Sequence, residues 1–121
     1  MAGSNTSGPR WRAAKLVSVA ISSLYSEFSR ISLEEAEGFL DLVLKSYDAL
    51  IADYEDAAYS GILIERGRTA NGVEYSRALV GRGPFRLQIE PDPEGRPFVS
   101  AIFEGPRLLA SGTMVEKDLE S

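Results

Sequence analysis

Between positions 11 and 30 the chain has no glycine or proline, and Ala13, Leu16, Val17, Ala20, Ile21, Leu24 and Phe28 recur at steps of three and four. That spacing puts apolar side chains on one face of a helix. Residues 15–22 also read as a strand, since Val17, Val19 and Ile21 alternate with Ser18, Ala20 and Ser22, and β-branched residues at period two suit a half-buried sheet. The length of the uninterrupted run favours the helix.

A second helix begins at Ser32, which with Glu35 three residues later has the form of a capping box. Glu34, Glu35 and Glu37 lie near the positive end of its dipole. Leu33, Leu40, Tyr47 and Tyr54 are seven apart, as are Ala36, Val43, Leu50 and Ala57, so an apolar seam extends for about six turns. Only Arg30 and Ile31 separate the two helices, which predicts an antiparallel hairpin. Gly38 inside the second helix costs about 1 kcal/mol relative to alanine.

After Ala58 the period changes to two. Residues 62–68 and 73–80 flank Thr69, Ala70, Asn71 and Gly72, and Asn-Gly between such runs predicts a two-residue type I′ hairpin. That register sets Thr69 against Glu74, Arg68 against Tyr75 and Arg66 against Arg77. Phe85, Leu87 and Ile89 alternate with Arg86, Gln88 and Glu90 in a third strand. A fourth spans 98–103 after a loop at 91–97, and a short fifth spans 108 to about 113. Helices first and strands afterwards predict an α+β fold: an N-terminal antiparallel helical hairpin packed on one face of a four- to five-stranded antiparallel β-meander. The domain covers 11–115, after a flexible Gly, Ser and Asn leader at 1–10 and before a short acidic tail at 116–121.

With 121 residues and neither cysteine nor histidine, the chain fits one domain and has no disulfide, thiolate zinc site, thiol nucleophile or imidazole base. No metal site or cofactor is expected. No segment approaches the roughly 20 apolar residues of a membrane span, and the bases before 16–21 imitate a signal peptide only over a short, serine-broken run. A cytoplasmic protein without membrane contact is expected. The net charge is −5, and residues 31–60 hold eight of the eighteen acids and one base. This balance argues against direct nucleic-acid binding.

Two surfaces stand out. Glu34, Glu37, Asp41 and Asp48 form an acidic stripe on the second helix, thickened by Asp53, Glu55 and Asp56 at the end where negative charge opposes the dipole. Such a face suits a basic partner protein, including a nucleic-acid-processing machine whose phosphate site it would occupy. In the predicted register Arg66, Arg68 and Arg77 share one sheet face with Tyr75, a set suited to a small anion or nucleotide. The tyrosines at 47, 54 and 59 suit the core or an interface, and the long seam also suits a homodimer. The acids at 90, 92 and 94 alternate like metal ligands, but three prolines describe a stiff turn more simply. The leading expectation is a non-enzymatic protein-binding module, such as a small inhibitor, immunity or anti-defence protein. The alternatives are an anion- or nucleotide-binding domain and an RNA-cleaving enzyme that works without His or Cys.

Overall fold

Ser32 is the hinge of the helical half. In the computed structural model, which describes residues 11–54 and 64–114, helix α1 spans Lys15–Ile31 and α2 spans Leu33–Tyr54. The Ser32 N–H donates to Phe28 O at 2.9 Å, closing α1, while its hydroxyl accepts the Glu35 N–H at 3.3 Å, opening α2. Only half of the capping box can form, because the N–H that a Glu35 carboxylate would take already belongs to α1. The leader 1–10, the tail 116–121, Glu55, Asp56, Ala57, Tyr59 and the side chain of Asp53 lie outside the described residues.

The strands follow as a meander: β1 Ile64–Arg68, β2 Glu74–Leu79, β3 Phe85–Pro91, β4 Pro97–Glu104 and β5 Arg107–Ser111. They are hydrogen-bonded in chain order, every pair antiparallel. The helical hairpin packs on the sheet, α1 against β4 and β5 and α2 chiefly against β2 and β3. The two seven-residue rows of α2 part company here. Ala36, Val43 and Leu50 are at most 2% exposed, whereas Leu33 and Tyr54, the ends of the other row, are 58% and 40% exposed. Val17 and Ile21 of α1 meet this row above Leu87, Ile89, Val99 and Ile102. Phe28, Phe39 and Phe85 close one end of the core with centroids 5.1 to 6.2 Å apart in tilted and edge-on pairs, the arrangement that ring quadrupoles favour.

The helix predicted from residue 11 starts at Lys15 instead. Ala13 forms a parallel bridge to Val99, with the Val99 N–H donating to Arg12 O at 2.8 Å and the Ala14 N–H to Val99 O at 2.9 Å. The cause is tertiary. Strand β5 pairs only as far as Ala101 with Ser111, which leaves the polar groups of Val99 without a strand neighbour. A buried backbone group needs a partner, and the segment ahead of α1 supplies it. The strand reading of 15–22 is not realised; extended backbone occurs just before it. Among the described residues no helix is long and apolar enough to cross a membrane.

Candidate functional site

Asn71 and Gly72 do make a hairpin turn, but of a different length. The Gly72 N–H donates to Thr69 O at 2.9 Å and the Thr69 N–H to Val73 O at 2.8 Å, with Gly72 at φ +84°. This is a three-residue loop, a type I turn closed by a left-handed glycine, and not the two-residue type I′ turn that Asn-Gly predicts. The register shifts accordingly: Arg68 faces Glu74, Gly67 faces Tyr75, Arg66 faces Ser76 and Glu65 faces Arg77. Because strand side chains alternate, a one-residue change sends neighbours to opposite faces. Arg66 and Arg68 share the face of Ser76 and the buried Ala78, on the helical side, whereas Tyr75 and Arg77 lie on the other. The arginine triad predicted on one face is therefore divided.

On the outer face the Arg77 guanidinium sits 4.2 Å from the Phe103 ring centroid and 5.1 Å from that of Tyr75. Its Nη2 and Nε donate to Gln88 Oε1 at 2.7 and 3.2 Å. Gln88 Nε2 donates in turn to Glu90 Oε2 at 3.1 Å and Ser100 Oγ at 3.4 Å. Ser100 is the extra residue of a bulge in β4. This network saturates Gln88, which is only 7% exposed, and a buried amide is tolerated when it is bonded in this way. Arg77 is thus built into the sheet surface. Tyr75 stacks with it, not with Arg68, and crosses Gly67 so closely that a Cβ there would lie 2.6 Å from the Tyr75 hydroxyl.

On the helical side, where α2 ends and the sheet continues toward its β1 edge, there is a cavity of about 450 Å³. Tyr54, Arg66, Arg68, Glu74, Ser76 and Ile89 are among its walls. Arg68 donates to Gly72 O at 3.1 Å and to Glu74 Oε2 at 2.8 Å, in an ion pair whose side chains are 65% and 74% exposed.

The acidic stripe stands on the outward side of α2. Glu34, Glu37, Asp41 and Asp48 are all exposed, and Lys45, the one base of this helix, lies 3.6 Å from Asp41. Leu33 and Leu44, 58% and 40% exposed, fall on the same face. Tyr47 is buried and packs on Trp11 with centroids 4.9 Å apart, while Tyr54 donates from its hydroxyl to Gly95 O at 2.6 Å.

The loop after β3 is ordered around Asp92. One carboxylate oxygen accepts the N–H groups of Glu94 and Arg96 at 2.8 and 2.9 Å, and the other accepts Arg12 Nη2 at 2.7 Å. The hydrogen bond from Arg12, reinforced by the two backbone donors, holds the Asp92 carboxyl below the usual carboxylate range. Arg12 also donates to Pro97 O at 2.9 Å. Arg96 is shared between two acids, its Nη2 3.3 Å from Glu94 Oε1 and its Nε 3.9 Å from Asp92 Oδ2.

Sequence reasoning missed Arg12 and Asp92 as a pair, and it missed Gln88 and Phe103 as the seat of Arg77. Their sequence separation hides them; only the alternation in β3 places Gln88 and Arg86 on one face. Comparison with protein-family models, curated proteins and solved structures finds no match.

Proposed function

We propose that the protein is a non-enzymatic module that docks on a basic surface of another protein through the outward face of α2. What supports this reading is the composition of that face: Leu33, Glu34, Glu37, Asp41, Leu44 and Asp48 occupy roughly one quarter of the helix circumference by its standard pitch, all of them exposed. The Cβ atoms of Glu34 and Glu37, and of Glu37 and Asp41, stand about 5–6 Å apart on a rigid support, with Asp48 seven residues beyond Asp41 on the same face. A row of negative groups interrupted by two leucines combines electrostatic steering with apolar contact. It repels phosphate and suits a surface that itself binds phosphate, which is the geometry of an inhibitor or immunity protein for a nucleic-acid-processing partner.

The test is affinity capture of the tagged full chain from its native lysate, beside a variant carrying Glu34→Gln, Glu37→Gln, Asp41→Asn and Asp48→Asn, with circular dichroism to verify its fold. A stoichiometric protein should be retained at low salt and released at roughly 0.5 M, where screening leaves only a few ångströms of electrostatic reach. The neutral variant should not retain it. Equal retention by both chains, or recovery of a small molecule alone, would overturn the reading.

A further inference from the structure

From the cavity at the end of α2 we infer a second, independent site, which takes a small molecule bearing one carboxylate or phosphate on a flat apolar body. Its volume of about 450 Å³ lies within the range of cavities that enclose small ligands. The choice of an oxyanion follows from the polar groups on its walls. Arg66 and Arg68 are two residues apart on β1, opposite Ser76 and Glu74, so both project from the same face of the edge strand. A guanidinium has five N–H donors, and Arg68 makes bonds to Gly72 O and Glu74 with two of its nitrogens. The exposed Glu74 partner exchanges at little cost, so an incoming oxyanion can take a forked bond from Arg68.

The acids of the cavity do not make it a cation site. Glu74 already accepts from Arg68, and Glu90 accepts from Gln88 Nε2, which ties it to the Arg77 network. The apolar part of the ligand is assigned to Tyr54, Ile89 and Pro91, which also line the space. The Tyr54 hydroxyl is anchored on Gly95 O, so its ring offers a fixed wall. Arg77, on the opposite face, has no part in this site.

The experiment is amide NMR titration of the full chain with adenosine monophosphate, benzoate and inorganic phosphate. Adenosine monophosphate or benzoate should shift the amides of Gly67, Ser76 and Ile89, and whichever binds identifies the head group. Arg68→Gln and Arg66→Gln should each weaken binding about tenfold or more, the scale of a lost charge-assisted fork. Arg107→Gln, on the far edge strand, should leave it unchanged. Inorganic phosphate binding as tightly as the larger probes would overturn the assignment of a flat body. Absence of shifts at the cavity with all three probes, shifts centred on Arg77, or affinity that survives both β1 substitutions would overturn the site.

Discussion

At the β1–β2 tip the Gly72 N–H donates to Thr69 O and the Thr69 N–H to Val73 O; at the β3–β4 tip Gly95 donates to Asp92 O and Asp92 to Arg96 O. Both glycines are left-handed, at φ +84° and +88°. In each, the first residue also turns its side-chain oxygen onto the loop, Thr69 Oγ1 toward the Val73 N–H and Asp92 Oδ1 toward those of Glu94 and Arg96. What differs is anchorage. The second tip is held by Arg12 from ahead of α1 and by Tyr54 from the end of α2. The first is braced by its own Arg68 against Gly72 O and Glu74. The same local turn thus serves as a fixed corner in one place and as a rim of the cavity in the other.

The largest effect should come from releasing the fixed corner. Arg12→Ala removes the nearer of two guanidinium partners from a carboxylate whose side chain is only 7% exposed, leaving Arg96 Nε at 3.9 Å and the two backbone donors, and denaturant unfolding should show a loss of about 1–2 kcal/mol, the scale of one lost charge-assisted hydrogen bond. The same pair sets an acid dependence. Since the folded Asp92 carboxyl lies below its ordinary value, its contribution is complete above the usual carboxylate midpoint of about 4 and is lost as pH falls through the lower folded value. Arg12→Ala should flatten the stability curve in that window, so parallel curves for the two chains would break the anchorage account.

Gly72→Ala and Gly95→Ala come next. A Cβ at either position meets nothing within 4 Å, so each substitution should cost about 1 kcal/mol from the left-handed backbone alone. Thermal unfolding that separates the two by much more than a few tenths would show that the turns are not equivalent. The smallest effects distinguish the braces themselves. Tyr54→Phe should remove about 0.5–1 kcal/mol with its bond to Gly95 O, and Arg68→Ala, in an exposed pair, less than about 0.5 kcal/mol. A larger loss at Arg68 would mean that the first tip is anchored as well.

The layers of the fold, the hairpin of helices and the meander were legible because each rests on a local period: three to four over α1 and α2, two over β3. The buried row Ala36, Val43 and Leu50 was legible for the same reason. Turn length was not. Asn71-Gly72 marks where the chain reverses, but a two-residue and a three-residue loop both accept that pair, and the difference moves Arg66 and Arg68 away from Arg77. The extended start at 12–14 was hidden too, because its backbone partners on Val99 belong to a strand far along the chain. The candidate cavity depends on both the register and the point where α2 stops, so its arginines were named from sequence while their neighbours were not.

The bond from Arg12 to Pro97 spans 85 residues, and this separation bears on how the protein comes off the ribosome. At about 5–20 residues per second, the segment that caps β4 waits roughly 4 to 17 s for its strand to be made. Between the synthesis of Leu50 and that of Leu87, the helical core residues Val17, Ile21, Val43 and Leu50 exist without the sheet residues Leu87, Val99 and Ile102 that cover them. The nascent helical hairpin therefore carries an uncovered greasy face until β3 and β4 are made, and this is the stage at which the chain is most prone to aggregate.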